Sequence, residues 1–225
     1  LGCEVFELNS RPDGRFAHPP EPVASNLTQL SQLAKSEKVD IGFAHDADAD
    51  RLALVTEQGR ILPEDYSLLL AAKFTLTGKR GLIVTNLSTT RALDEVAEQF
   101  NCPVERTRIG DIHVSRCMKE EKAVIGGEGN GGVILPQIHY ARDGIAAIAL
   151  LLEYLAETSE PISKLASDLP HYYIIKRKLK TAREDFPSLR IRLKKEFTEA
   201  TFNSDDGIKV DLDKSWIHIR HSGTE

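Results

Sequence analysis

Strand-like apolar runs alternate with helical patterns through the middle of this chain. Residues 82–85, 104–107, 123–125 and 133–135 predict strands, and residues 143–157 predict a strongly apolar helix. Between the strands, apolar residues recur at helical spacing. Strands that alternate with helices in this way favour a largely parallel sheet covered on both faces.

The same alternation extends towards the N-terminus. Residues 5–8 predict a strand, residues 9–22 a long irregular connection with four Pro, and residues 39–44 an apolar strand. A helix is predicted to open after Pro63 and to end near Gly78, because Pro is favoured in the first turn of a helix. This part of the chain is therefore also expected to be α/β.

The pattern changes in the last quarter of the chain. Residues 172–180 predict a basic strand, residues 186–200 a helix, and residues 209–212 and 216–220 a hairpin. We expect a domain boundary near Ser167. The expected fold class is α/β, with consecutive α/β domains that contain mixed, largely parallel sheets and a smaller C-terminal α+β domain.

Charge and composition exclude several classes of partner. The net charge of -5 and the pI near 5.9 argue against nucleic acid or an acidic membrane surface, both of which bind basic faces. Cys3, Cys102 and Cys117 are too scattered for a disulfide framework or a zinc site. No apolar stretch could span a bilayer, so a cytoplasmic protein is expected. The start at Leu1 without Met predicts a fragment of a longer protein.

Three aspartates stand at alternate positions directly after the apolar run at residues 39–44. Alternate side chains of an extended or tightly looped backbone point to one side, so Asp46, Asp48 and Asp50 can converge on one hard cation. Without a cation or an arginine nearby, three like charges beside a buried strand would destabilise the fold. A solvated acidic turn is therefore a weak alternative.

Two other interpretations of this loop remain open. An EF-hand would use the three aspartates with Glu57 at position twelve, but Arg51 stands where that loop requires Gly. A haloacid-dehalogenase-type phosphotransferase would use Asp46 as nucleophile and Asp48 as acid or base, although Asp50 stands where Thr or Val is usual.

Residues 126–132 form a glycine cluster that contains a G-x-G-x-x-G pattern. A dinucleotide-binding fingerprint needs a helix next, whereas residues 133–135 predict a strand. A loop that lets its backbone approach a polar ligand, with Glu128 and Asn130 as hydrogen-bonding groups, is the better functional interpretation. A plain glycine-rich turn is the alternative.

The chain ends with a compact polar motif at residues 220–225. A guanidinium, two hydroxyls and a glycine can form a phosphate cradle, and a plain turn is the alternative. Elsewhere, Arg142 and Asp143 are expected to cap the following helix, and His45 is expected to be an incidental loop residue.

Taken together, in order and spacing, the three motifs resemble those of the α-D-phosphohexomutases, the superfamily of phosphoglucomutases, phosphomannomutases and phosphoglucosamine mutases. Residues 46–51 resemble the D-G-D-x-D-R magnesium loop of the second domain. Residues 127–132 resemble the G-E-x-S-G-H sugar loop of the third, and residues 220–225 the R-x-S-G-T-E phosphate loop of the fourth. The resemblance covers essentially the whole chain.

The resemblance implies a division of the chain into three parts. Residues 1–77 would be the end of the second domain, residues 78–167 the third domain, and residues 168–225 a truncated fourth domain. The phosphoserine loop of the family belongs to its first domain, and this sequence has no T-A-S-H-N segment that matches it. The chain alone is therefore expected to be inactive.

The resemblance also implies roles for individual residues. Phosphoryl transfer from phosphoserine to a hexose or hexosamine phosphate would form a hexose 1,6-bisphosphate, which is intermediate and activator. The implied assignments are Mg²⁺ on Asp46, Asp48 and Asp50, phosphoserine positioning by Arg51, sugar binding by Glu128 and Asn130, and phosphate binding by Arg220, Ser222, Gly223 and Thr224.

Three positions depart from the family pattern, and two of them, Asn130 and Gly132, bear on the substrate. Ala47 replaces a Gly of the magnesium loop, and Asn130 and Gly132 replace the Ser and His of the sugar loop. A G-E-G-N-G-G loop resembles that of archaeal-type mutases, which favours glucosamine phosphate over glucose and mannose phosphates. A non-catalytic sugar-phosphate or metal-binding module and a phosphatase that uses Asp46 are the alternative functions.

Overall fold

The computed structural model describes residues 2–178 and 186–221. Within these ranges the chain forms three sheets and seven α-helices. The strands are β1 (Ile41–His45), β2 (Leu52–Thr56), β3 (Ile83–Asn86), β4 (Val104–Thr107), β5 (Ile125–Glu128), β6 (Gly132–Ile134), β7 (Thr201–Asn203), β8 (Ile208–Asp211) and β9 (Trp216–Ile219). The helices are α1 (Thr28–Glu37), α2 (Tyr66–Gly78), α3 (Ala92–Glu98), α4 (Asp111–Glu120), α5 (Gly144–Thr158), α6 (Ile162–Ser167) and α7 (Phe186–Glu196).

The central sheet has the strand order β4-β3-β5-β6. Strand β3 runs parallel to β4 and β5, whereas β6 pairs with β5 in the antiparallel direction. Alternate residues of β3 face opposite sides, so Ile83 joins the core formed with α2 and α3 while Val84 packs with Val114 and Met118 of α4. The expected α/β sheet with helices on both faces is confirmed, with a mixed strand order.

Strands β1 and β2 form an antiparallel hairpin whose connection is the aspartate loop. His45 pairs with Leu52, so the loop begins and ends at neighbouring positions of this ladder. Helix α1 packs against both strands. The strand predicted at residues 5–8 is wrong, because this segment pairs with no neighbour in the described chain and Val5 is 73% exposed.

The third sheet is a small antiparallel meander in the order β7-β8-β9. Its β8–β9 hairpin, with Asp211 paired to Trp216, confirms the hairpin predicted from the sequence. The strand predicted at residues 172–180 is not formed over residues 172–178, which lie in an irregular connection, and residues 179–180 lie outside the described ranges. Four aromatic or β-branched residues at 172–175 precede the basic residues 176–178, which is a strand-like composition, but residues 172–178 pair with no strand in the described part of the chain.

Helix α2 holds the first hairpin and the central sheet together. Leu68, Leu69 and Leu70 are fully buried, and the helix contacts β2 of the hairpin as well as β5 and β6 of the central sheet. A helix that is apolar on all sides is expected in the interior. The hydroxyl of Ser67 also donates to the carbonyl of Leu52, directly after the aspartate loop.

Candidate functional site

The aspartate loop brings its three carboxylates together. Oxygens of Asp46, Asp48 and Asp50 all lie within 4.8 Å of one another, with Asp46 buried and Asp48 exposed. The left-handed residue of the loop is Ala49, with φ of 57°, so the methyl group of Ala47 is not placed at that strained position. Three converging carboxylates with one open to solvent are a donor set that suits Mg²⁺.

Two arginines partly neutralise this cluster. The backbone N–H of Arg51 donates to Asp46 Oδ1 over 3.1 Å and its Nε donates to Asp46 Oδ2 over 2.5 Å. Burial alone would raise the pKa of Asp46, but the Arg51 bonds and charge outweigh it and the pKa lies below its usual value. Burial raises the pKa of Asp50, and the charges of its neighbours Asp46 and Asp48 add to that effect, so the pKa is raised even beside Arg142.

The same geometry argues against the two other interpretations of the loop. Both oxygens of Asp46 accept from Arg51, and this pairing lowers the pKa of Asp46, which makes its carboxylate a weaker nucleophile. The carboxylate of Glu57 accepts from the backbone and hydroxyl of Ser163, so it does not serve as the twelfth residue of an EF-hand. The flanking elements are also strands and not the helices of an EF-hand.

The glycine cluster is a tight hairpin between β5 and β6, not the turn of a dinucleotide site. A Cβ on Gly127 would lie 2.1 Å from the carbonyl oxygen of Gly132, so only glycine allows the two strands to approach in this way. The loop is tied to the aspartate loop by the backbone, since the N–H of Leu52 donates to the carbonyl of Gly131 over 3.0 Å.

Glu128 is a buried carboxylate with three hydrogen-bond donors around it. Its Oε1 accepts from Asn86 Nδ2 over 2.8 Å and from the N–H of Gly110 over 3.1 Å, and its Oε2 accepts from Arg142 Nη1 over 2.8 Å. Asn130 uses its Oδ1 within the loop, where it accepts from the N–H of Gly132 over 3.2 Å. This bond fixes the orientation of the Asn130 side-chain amide within the loop.

Arg142 joins the two loops, which the sequence did not predict. Its Nη2 donates to Asp50 Oδ2, while Nη1 donates to Glu128. The expected capping role belongs to Asp143 alone, whose Oδ1 accepts from the N–H of Ala146 at the start of α5 over 2.8 Å. The aspartate loop and the glycine loop therefore line one site, and Arg142 lies between them.

Comparison with known proteins gives the family. The model described as phosphoglucomutase/phosphomannomutase alpha/beta/alpha domain II matches residues 1–59, and that of domain III matches residues 63–173. The chain belongs to the phosphoglucomutase/phosphomannomutase family. The resemblance to the α-D-phosphohexomutases found in the motifs is thereby confirmed.

Individual members of this family resemble the whole chain. It is 36% identical to a probable phosphoglucosamine mutase of Methanopyrus kandleri over 100% of this chain and 51% of that protein. It is also 36% identical to a phosphoglucomutase/phosphomannomutase of Thermococcus kodakarensis, over 100% of this chain and 50% of that protein. The chain therefore spans about half the length of the curated relatives that it matches.

A solved structure of the family has the same fold. The crystal structure of a phosphoglucomutase/phosphomannomutase family protein from Burkholderia thailandensis superposes with a TM-score of 0.77 at 28% identity. The match covers 92% of this chain and 45% of that one. No helix in residues 2–178 or 186–221 is long and apolar enough to cross a membrane.

In this phosphoglucomutase/phosphomannomutase chain, the third motif is described only at its start. Arg220 follows β9 and its Nε lies 3.5 Å from Asp206 Oδ1, whereas Ser222, Gly223 and Thr224 lie outside the described residues. His45 packs against Gly144, and its Nε2 is buried without a hydrogen-bond partner among residues 2–178 and 186–221. The structure thus brings together the first two motifs, and the phosphate-binding role of the third remains a prediction.

Proposed function

We propose that this chain is part of a Mg²⁺-dependent phosphohexomutase that interconverts hexose or hexosamine 6-phosphates and 1-phosphates. The observation that carries the proposal is the shared arginine. Because Arg142 contacts both Asp50 and Glu128, a metal held by the aspartates and a sugar hydroxyl held by Glu128 would lie on two sides of one guanidinium. A phosphoryl-transfer site needs that combination of cation, sugar contact and fixed positive charge.

Asp46, Asp48 and Asp50 are the residues that would hold Mg²⁺, which neutralises negative charge on a transferring phosphoryl group when bound. Arg51 and Arg142 would orient the oxygens of that group. Glu128 Oε2 would accept from a sugar hydroxyl, and the Asn130 amide nitrogen would donate to another oxygen of the sugar.

The C-terminal residues complete the proposal. Arg220, Ser222, Gly223 and Thr224 would grip the phosphate that is not reacting, so that either end of a hexose 1,6-bisphosphate can face the phosphoryl donor. The donor would be a phosphoserine from the first domain of the family. In this division residues 1–77, 78–167 and 168–225 belong to the second, third and fourth domains, and the chain alone is inactive.

Glucosamine phosphate is the proposed preferred substrate, with glucose and mannose phosphates as secondary ones. Two observations support this choice. The loop reads G-E-G-N-G-G, and the Methanopyrus kandleri relative is a probable phosphoglucosamine mutase. The alternative is a binding module without catalysis. Such a protein would bind metal and sugar phosphate but would not convert the sugar phosphate, even at its natural length.

The test is an assay of the protein at its natural length with glucosamine, glucose and mannose 6-phosphates, with Mg²⁺ and after chelation. We expect 1-phosphate formation that stops on chelation. Asp48→Asn removes the exposed ligand with little cost to the fold, and we expect a loss of about 100-fold or more in kcat, as for loss of an electrostatic contact to the transition state. Asp40→Asn, an exposed aspartate outside the loop, is the matched control. Turnover that survives chelation, or no turnover with any of the three sugars, would contradict the proposal.

A further inference from the structure

The side chain of Arg142 occupies the space that a side chain at position 132 would need. A Cβ on Gly132 would lie 2.3 Å from Cδ and 3.0 Å from Cγ of Arg142. Both atoms lie in the middle of the Arg142 side chain. This side chain therefore could not keep its observed conformation over the loop if position 132 carried any side chain. The glycine that departs from the G-E-x-S-G-H pattern is therefore coupled sterically to an arginine ten positions further along the chain.

The guanidinium of Arg142 is held at both ends by carboxylates. Nη1 donates to Glu128 Oε2 over 2.8 Å and Nη2 donates to Asp50 Oδ2. The Arg142 side chain is only 17% exposed, and its Nε is buried without a partner in the described structure. Charge-assisted hydrogen bonds at a largely buried position fix a planar guanidinium in one orientation.

This arrangement limits how Glu128 can meet a ligand. A carboxylate has about four acceptor positions, and Asn86 and Gly110 occupy both of those on Oε1. Arg142 takes one of the two on Oε2. One acceptor position is left, so Arg142 decides the direction from which a hydroxyl group can reach Glu128.

The contact of Arg142 with Asp50 competes with a metal ion for the same carboxylate. A cation bound by the three aspartates would draw on the charge of Asp50 and weaken the bond between Asp50 and Nη2, while Nη1 stays on Glu128. One edge of the guanidinium would then be available to an anionic group. Binding of a metal and binding of a sugar phosphate are thereby linked through one side chain.

We propose that Arg142 is a positioning residue that replaces the missing side chain at position 132, orients Glu128 and competes with the metal for Asp50. The proposal rests on the metal and sugar assignments of the proposed function. It adds a residue that the motifs do not include, and it makes Gly132 and Arg142 a functional pair.

The test measures Mn²⁺ affinity of this chain by electron paramagnetic resonance, without any sugar phosphate. Removing Arg142 alone would leave Glu128 buried and uncompensated, so the variant to use is the double change Glu128→Gln with Arg142→Gln, compared with Glu128→Gln. Glu128→Gln alone keeps the bond between Arg142 and Asp50, so it is the reference against which the double variant is compared. The double variant is expected to bind Mn²⁺ about fivefold more tightly or better, because a competing cation has been removed.

Two further variants separate positioning from simple structural support. Gly132→Ala displaces Arg142 without deleting it and is expected to strengthen Mn²⁺ binding in the same direction. Arg142→Lys keeps the charge but cannot span both carboxylates, so an intermediate affinity is expected. Arg91→Gln, which removes an ion-paired arginine at the third sheet, is the control for net charge and should not alter the affinity.

The outcomes distinguish this proposal from the proposed function. If neither the unaltered chain nor any variant binds Mn²⁺, the proposed metal site is wrong, and the proposed role of Arg142 is wrong with it. If the unaltered chain binds Mn²⁺ but the double variant binds it equally or more weakly, Arg142 does not compete for Asp50. The inference is then overturned while the metal site of the proposed function stands.

Discussion

At the scale of residues, Asp65 packs against the glycine loop at Gly129. Its Oδ1 accepts from the backbone N–H of Thr90 over 3.3 Å and lies 2.2 Å from where a Cβ on Gly129 would stand. Burial raises the pKa of Asp65 to about 6, with a smaller opposing effect from the Thr90 bond. The charged groups that face it are Lys176 and Arg106, which favour ionisation, and Glu64, which opposes it.

Asp65 should make the stability of the fold depend on pH. The folded protein keeps the proton up to about pH 6, whereas the unfolded chain releases it near its usual pKa of about 3.9. Between these values the folded state binds more protons, so stability falls as pH rises and is level above about pH 6. The pKa shift of Asp65 corresponds to roughly 3 kcal/mol of folding free energy.

Urea unfolding of Asp65→Asn and of the unaltered chain from pH 4 to 7 measures this pH dependence of stability. The gain from the substitution should grow with pH, and a pH-independent difference would exclude Asp65 as the titrating group.

Residues of the candidate site differ in how far the sequence could predict them. The three aspartates are close in sequence, so alternation along the backbone was enough to place them together. The partners of Glu128 and Asp50 lie far away in the sequence, because Asn86 and Glu128 are 42 positions apart and Asp50 and Arg142 are 92 positions apart. Only the folded sheet brings these together, and the one local signal was the absence of a side chain at Gly132.

At the scale of elements, α2 supports both halves of the site. Leu68 is fully buried, and its Cδ1 would lie 3.1 Å from a Cβ on Gly127, directly under the glycine hairpin. Leu68→Ala should therefore leave a cavity below this loop and lower the free energy of unfolding by about 2 to 5 kcal/mol. Ile145→Ala on α5, where the side chain is 67% exposed, should change it by less than about 0.5 kcal/mol. Urea unfolding of both variants tests this, and equal effects would contradict the packing described.

Elements with a local signature were predicted correctly, and those that need a distant partner were not. Strands β3, β4 and β6, helix α5 and the β8–β9 hairpin have strong periodicity or a short turn, whereas β5 was predicted at residues 123–125 and lies at Ile125–Glu128, because Gly126 and Gly127 were interpreted as loop residues. Residues 5–8 and 172–178 have strand-like composition but no neighbour to complete a ladder in the described chain. Strand propensity indicates that a side chain suits a pleated surface. Whether the segment pairs depends on other parts of the chain.

At the scale of the whole molecule, the third sheet meets the rest through polar contacts. His218 bonds with Ser88 over 2.7 Å, Arg91 pairs with Asp211 over 3.2 Å, and the N–H of Ile109 donates to Asp206 over 2.9 Å. These contacts lie beside Asn86 and Gly110, which hold Glu128. Polar contacts of this kind resemble those between domains of one chain, whose interfaces are more polar than obligate ones.

The backbone amide of Ile109 is therefore a reporter of the docking between the third sheet and the central sheet. Asp206→Ala removes the acceptor, and we expect the amide to exchange about fivefold faster with deuterium, as for loss of one hydrogen bond near 1 kcal/mol. Raising the salt concentration from about 0.05 to 0.5 M should shift exchange in the same direction, because exposed charges are screened. The amide of Ile83, which donates to Pro103 inside the core, should change in neither case. Equal exchange at Ile109 in both proteins would mean that the two sheets are not docked through Asp206 in solution. A change at Ile83 would instead indicate that the variant loosens the central sheet as a whole.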